Sequence, residues 1–175
     1  MAIWNTTVTN KGVALQIKQI NGAKLTFTRV VTGSSSVSSE NLKNQVNISD
    51  IQQTLSIEGV TPTPDQKKYT IKVMLSNDTL STSYHLSQIG FYANDPDEGE
   101  ILFAIAQLDT KKLIPSVDEA YGYHIEFAFT FLNVNGAEIE VTPDVAGLMT
   151  REETQKLIDA NVSAEIELAF DIIDP

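Results

Sequence analysis

The chain has 175 residues, a formal net charge of −11 and no cysteine. The length predicts one domain with at most a short appendage, and the missing cysteines exclude disulfides and thiolate metal sites. Twelve Lys and Arg against 23 Asp and Glu, without a basic cluster or an apolar run long enough for a membrane helix, argue against nucleic-acid and membrane partners.

A helix is predicted near the N-terminus, in the stretch TNKGVALQIKQINGAKL. Thr9 can cap its N-terminus. Val13, Ile17 and Ile20 fall at helical spacing on one side. Gly22 stands where a C′ glycine ends a helix. A short capped helix therefore precedes the rest of the domain.

The middle of the chain predicts one strand after another. Alternating side chains mark KLTFTRVV, TLSIEGV and YTIKVML. A single helical turn is predicted in ENLKNQVN, and the prolines of TPTPD break the pattern because proline cannot donate to a strand ladder. The run ILFAIAQL is apolar on both faces, which predicts a central strand covered on each side.

The clearest strand signal lies in HIEFAFTF, where period-2 alternation is complete. Its apolar face is formed by Ile125, Phe127, Phe129 and Phe131. The next stretch, NVNGAEIEV, predicts a hairpin turn and a last short strand.

The chain changes character near Pro143. Thr150 and Glu153 have capping-box spacing, which predicts a helix from about Arg151. Steps of four, three and four residues indicate an a/d coiled-coil seam; its members are Val162, Ile166, Ala169 and Ile173. A terminal helix that packs back on the sheet is the alternative.

The stretch NDPDEGE places four carboxylates between Asp95 and Glu100. Calcium prefers oxygen ligands, but the spacing to a distal Glu is missing and Pro96 stiffens the chain. Pro, Asp and Gly99 are typical of a tight turn, and strands are predicted on both sides. We therefore expect a hairpin tip and no metal site, with a weak cation site as the alternative.

No catalytic motif is evident, and we expect no enzyme activity and no cofactor. His85 and His124 both lie in predicted strands without a nearby nucleophile. Nucleotide-binding glycine motifs are missing from the sequence. A glycosidase would need a carboxyl group in an apolar pocket, and Glu126 alone interrupts a strongly apolar strand.

Trp4, the only tryptophan, precedes the predicted helix. It is a candidate partner-binding residue because tryptophan is enriched at interface hot spots. Packing on the helix or over the core is the alternative. The tyrosines that could form a sugar-binding platform are Tyr84, Tyr92, Tyr121 and Tyr123.

Two long blocks of sequence resemble a known family. The first, WNTTVTNKGVALQIKQINGAKLTFTRVVTGSSSV, carries Asn10, Lys11 and Gly12 and then Gly22, Leu25, Thr28 and Gly33. The second contains QIGFYANDPDEGEILFA, from Gln88 to Ala104. Both blocks resemble phage tail fibre and tail-collar fibre proteins, including those of prophages, over roughly residues 1–150.

The resemblance implies a structural protein of the virion tail, made in the bacterial cytoplasm, whose N-terminal domain attaches a host-recognition fibre to the baseplate. The implied partners are a baseplate protein, a distal fibre or host-binding protein, and two further copies in a homotrimer. The seam from Val162 to Ile173 would suit the start of a trimeric stalk. A receptor- or carbohydrate-binding module and a glycan-degrading tail enzyme are the alternative functions.

These observations together predict a mainly-β (α+β) protein, with an antiparallel β-sandwich or mixed sheet and a helix at each end. The predicted division is a β-rich attachment domain over residues 1–143 and a helical segment over residues 144–175.

Overall fold

The structure, a computed structural model, describes residues 3–133 and 139–141. Its elements in chain order are β1 (Trp4–Val8), α1 (Asn10–Ile20), β2 (Leu25–Gly33), a 3-10 helix (Ser39–Asn44), β3 (Ile51–Pro62), β4 (Lys68–Ser76), β5 (Tyr84–Asp95), β6 (Gly99–Ile114), β7 (His124–Leu132) and β8 (Ile139–Val141). The predicted mainly-β class is confirmed. The predicted helical segment 144–175, with its seam, lies outside the described residues. Within them, no helix is long and apolar enough to cross a membrane.

Seven strands form one curled antiparallel sheet in the order β1-β6-β5-β2-β3-β4-β7. The short strand β8 pairs in parallel with β2, with Leu25 opposite Ile139. The hairpin predicted after β7 is therefore wrong, although its short last strand is present. The reason is that β3 pairs with β2 only from Val30 onward, so the first residues of β2 have a free edge that β8 occupies.

The sheet curls at β3. The first half of this strand pairs with β2 and its second half pairs with β4, with a register shift between Ile57 and Gly59. Such shifts bend a strand and increase its twist. As a result β7 faces β5, and the rings of Phe91 and Phe129 lie 5.1 Å apart in an edge-to-face arrangement.

The main core lies between these facing strands. The apolar faces predicted for β4 and β7 both point into it, with Ile71 and Val73 fully buried. The predicted central strand is also confirmed, since every residue from Ile101 to Leu108 is buried. A second apolar cluster packs on β5 and β6 and consists of Val31, Leu42, Ile48, Tyr92, Leu102 and Ile105.

Helix α1 begins and ends where the sequence predicts. The Thr9 side chain accepts a hydrogen bond from the Gly12 amide, and Gly22 follows the helix with a φ of +96°. The preceding strand β1 was not predicted, because WNTTV is short and mostly polar. It forms because its backbone pairs with β6, from Trp4 opposite Leu108 to Val8 opposite Ala104.

Candidate functional site

The stretch NDPDEGE forms the tip of the β5–β6 hairpin, as predicted. Asp95 closes the turn, because its Oδ1 accepts hydrogen bonds from the amides of Asp97 and Glu98 at 2.8 and 3.1 Å. Gly99 supplies the positive φ of +79° that the turn requires. The Asp95 carboxylate, at the end of β5, therefore stabilises the backbone of the turn.

Asp95 is also the partner of a lysine from helix α1. The Nζ of Lys18 lies 2.7 Å from Oδ1 and 2.9 Å from Oδ2 of Asp95, and 2.8 Å from Oδ2 of Asp97. The Asp95 side chain is only 2% exposed, whereas that of Lys18 is 30% exposed. An ammonium group from the chain itself thus occupies the position where a bound cation would contact these carboxylates.

The electrostatics of this pair favour the charged forms. Burial alone would raise the pKa of Asp95, but the hydrogen bonds from Lys18 and from the two turn amides bring that pKa below its ordinary value. Hydrogen bonds to Asp95 and then to Asp97 raise the pKa of Lys18. Both groups are therefore ionised at neutral pH, and neither is suited to exchanging protons with a substrate there.

The other two carboxylates of the hairpin are paired as well. The Glu98 carboxylate pairs with the Nζ of Lys11, which lies in the first turn of α1. Glu100 accepts from both Arg29, at 2.9 Å, and Thr28, at 2.6 Å. We name Lys11, Lys18, Asp95, Asp97 and Glu98 the helix–hairpin clasp, because they fasten α1 to the β5–β6 tip.

The carboxylates of the clasp are engaged by groups of the chain itself. They face lysines and backbone amides, and the described residues contain no group of three or more His, Asp or Glu side chains that could hold a metal ion. The arrangement is a structural fastening with a small net charge. The hairpin prediction is confirmed by the pairing of β5 with β6.

Trp4 lies in β1 and is partly buried. Its ring contacts those of Phe127 and Phe129 edge-to-face, with centroids 5.6 and 5.4 Å apart. Trp4 thus joins the two edge strands of the sheet, β1 and β7, which do not pair with each other. This placement agrees with the alternative of a residue that covers the core. The other predicted partner-binding residues, Val162, Ile166, Ala169 and Ile173, lie outside the described residues.

The structure does not bring the candidate catalytic residues together. His85 is exposed on β5, whereas His124 is exposed at the start of β7 and lies 3.3 Å from Asp78. Glu126 is half exposed and lies 3.4 Å from Lys72 on the neighbouring strand. The surroundings of Glu126 are therefore polar and cationic, unlike the apolar pocket that an acid catalyst needs.

The four tyrosines do not form a shared platform. Tyr84 and Tyr92 belong to the buried core, and Tyr84 donates a hydrogen bond to Thr32. Burial raises the pKa of Tyr84 to about 12. Tyr121 is 91% exposed, which leaves it as the single strongly exposed ring of this candidate set.

Helix α1 presents an apolar surface that the sequence interpretation missed. An apolar stripe at helical spacing ordinarily faces the core, but Val13, Ile17 and Ile20 are 45%, 57% and 54% exposed. The helix packs on the sheet through a different side, where Gly12, Leu15 and Gln19 are buried. We name Val13, Ile17 and Ile20 the α1 stripe.

One signal in the sequence could have indicated this orientation. A Cβ atom added to Gly12 would lie 2.1 Å from the carbonyl oxygen of Phe103. The helix therefore approaches β6 through its glycine, and a glycine in the first turn of a helix is a mark of close backbone approach. Because Gly12 and Leu15 face the sheet, the α1 stripe points away from it.

Comparison with protein-family models, with curated proteins and with solved structures found no match. The resemblance to tail fibre proteins therefore rests on the two sequence blocks alone.

Proposed function

We propose that the chain is a structural component of a bacteriophage tail or related particle. Its N-terminal domain attaches a host-recognition fibre to a baseplate protein through shape-complementary docking, without catalytic turnover. Within the attachment domain, we propose that the curled sheet is a β-sandwich, in which β7 packs against β5 and β1 through aromatic contacts.

The observation that carries this proposal is the α1 stripe. It is a contiguous apolar surface on a regular helix, with no charged side chain among its members. Exposed apolar surfaces of this kind often mark contacts with other proteins. A helix that displays apolar residues at positions i, i+4 and i+7 matches the common mode of docking into an apolar groove.

The helix–hairpin clasp supports the same function. Rigid surfaces bind with a smaller entropy cost than surfaces that must be ordered first. Lys18 holds α1 to the hairpin tip through the buried Asp95 carboxylate, and Gly12 brings the helix against β6. The α1 stripe is therefore presented on a fixed platform.

Homotrimerisation is proposed for the C-terminal seam, whose residues are Val162, Ile166, Ala169 and Ile173. Apolar residues at a and d positions are the physical basis of such bundles. Sedimentation velocity of the full chain at high micromolar concentration would give a trimer, and a strictly monomeric chain would contradict this part of the proposal.

The attachment proposal is tested by incorporation into particles. In the phage or prophage that encodes the chain, Ile17→Asp places a charge at the middle of the α1 stripe, and we expect purified particles to lose the chain. Leu113→Asp is the matched control, because Leu113 is 51% exposed and belongs to β6. Immunolabelling that finds the chain equally at the tail tip in both variants would contradict the proposed docking surface.

A further inference from the structure

We propose that the edge strand β7 pairs antiparallel with β7 of a second copy of this chain, so that the sheets of two copies become continuous. This inference goes beyond the proposed attachment function and does not depend on it. It rests on the form of the edge, on the full-length overlap of two copies and on the placement of its charges.

Strand β7 is a long and regular edge. It covers nine residues, HIEFAFTFL, without glycine or proline. In the part of the chain that the structure describes, it pairs with β4 alone. That pairing runs from Lys68 opposite Leu132 to Ser76 opposite His124 without a register shift. The other edge, β1, covers five residues.

Such an edge is a template for another strand. Alternate N–H and C=O groups of an edge strand point away from the sheet and can bond to an added strand. Proteins commonly block this pairing with proline, bulges, short edges or an unpaired lysine. None of these features occurs in β7. Its one acidic residue, Glu126, forms an ion pair with Lys72 of the neighbouring strand β4.

Two copies of β7 can pair along their full length in the antiparallel direction. When the two-fold axis passes through Ala128, all nine residues overlap. On the polar face Glu126 lies opposite Thr130, and His124 lies opposite Leu132. Ala128, which is exposed and has the smallest side chain of the strand, lies opposite its own copy.

The apolar face matches in the same register, with Phe127 opposite Phe129 and Ile125 opposite Phe131. Aromatic and β-branched cross-strand pairs stabilise antiparallel sheets. A shift of the axis to Glu126 would shorten the overlap and place two carboxylates opposite each other. The register centred on Ala128 therefore combines the full overlap with the absence of opposed like charges.

Two-fold pairing at β7 and the proposed three-fold seam involve different residues of the chain. A homotrimer and an edge-paired dimer are thus separate properties that different variants can test.

Cysteine cross-linking tests the register directly, because the natural chain has no cysteine. In Ala128→Cys, the two thiols would lie across the two-fold axis, at the Cα separation of directly opposed residues in an antiparallel pair, ~4.5–5.5 Å. That separation allows a disulfide. We expect mild oxidation of the full chain to give a covalent dimer on a non-reducing gel.

Thr130→Cys is the matched control, since Thr130 is exposed on the same face of the same strand. In the proposed register it faces Glu126 of the second copy, and the two introduced thiols lie too far apart to bond. We expect at least a tenfold lower yield of dimer than for Ala128→Cys. Equal yields in the two variants, or no dimer in either, would overturn the proposal.

A charge variant provides a test without oxidation. Ala128→Glu places two carboxylates on the two-fold axis but faces Lys72 within its own copy, so the fold is preserved. Ser56→Glu adds the same charge at an exposed position on β3. We expect Ala128→Glu to weaken edge pairing at least tenfold in sedimentation equilibrium and Ser56→Glu to leave it unchanged; the same weakening in both variants would overturn the assignment to β7.

Discussion

The Nζ of Lys18 lies 2.7 Å from Oδ1 of Asp95, although 77 residues separate the two in sequence. The pair joins the only α-helix of the described residues to the tip of the longest hairpin, and it accounts for the acidic run that follows β5. Acidic side chains that suggest a metal site in the sequence are thus part of a fastening between two elements.

Substitution of Lys18 should destabilise the fold. In Lys18→Met, the buried carboxylate of Asp95 loses its charged partner, and a buried charge without a partner is costly. We expect the melting temperature to fall by several degrees. Lys11→Met is the control, because its partner Glu98 is 45% exposed and exposed ion pairs contribute little. Equal melting temperatures in the two variants would contradict the role given to Asp95.

The contribution of Asp95 should depend on pH. Its pKa is lower in the folded chain than its ordinary value, so the stabilisation is fully present above the unfolded pKa of ~3.9 and is lost as pH falls through the folded pKa. We expect urea midpoints of the wild type and Asp95→Asn to differ at pH 7 and to converge as the pH falls below the ordinary range of a carboxyl group. A difference that is constant across this range would rule out the ionised carboxylate as its source.

The close approach of α1 to β6 should make Gly12 intolerant of a side chain. Alanine is the better helix former, but its Cβ would lie 2.1 Å from the Phe103 carbonyl oxygen. We expect Gly12→Ala to reduce the free energy of unfolding by about 1–3 kcal/mol, the usual range for overpacking. At Gly59 an added Cβ meets nothing within 4 Å, so Gly59→Ala should have a much smaller effect in the same urea titration.

Trp4 should contribute to stability through its two phenylalanine contacts. Complete burial makes a Trp→Ala change cost about 3–5 kcal/mol, and Trp4 is only partly buried. We therefore expect Trp4→Ala to lower the free energy of unfolding by about 2 kcal/mol. Tyr121→Ala, at a ring that is 91% exposed, should change it by less than about 0.5 kcal/mol. An unchanged urea midpoint for Trp4→Ala would contradict this stabilising role and favour a docking role for Trp4.

Local patterns were sufficient for most individual elements. The cap at Thr9, the end of α1 at Gly22, the alternation in HIEFAFTF and the turn at NDPDEGE all depend on residues close in sequence. Their physics is short-range, because capping, steric limits on φ and side-chain alternation act within a few residues. The mainly-β class followed from these elements alone.

Pairings and orientations required the tertiary structure. Strand β1 has little local preference for a strand and forms because β6 offers its edge. Strand β8 pairs with β2 rather than β7 because the start of β2 is left free by β3. The outward orientation of Val13, Ile17 and Ile20 depends on the approach of Gly12 to Phe103, 91 positions further along the chain.

The sequence by itself therefore determined the composition class, the strands with strong alternation, the capped helix and the hairpin turn. Only the tertiary structure decided that Lys18 neutralises Asp95, that Trp4 packs against the phenylalanine rings of β7 and that the apolar side of α1 faces solvent. The physical reason is that ion pairing, ring packing and burial depend on distances between residues remote in sequence, which no local periodicity encodes.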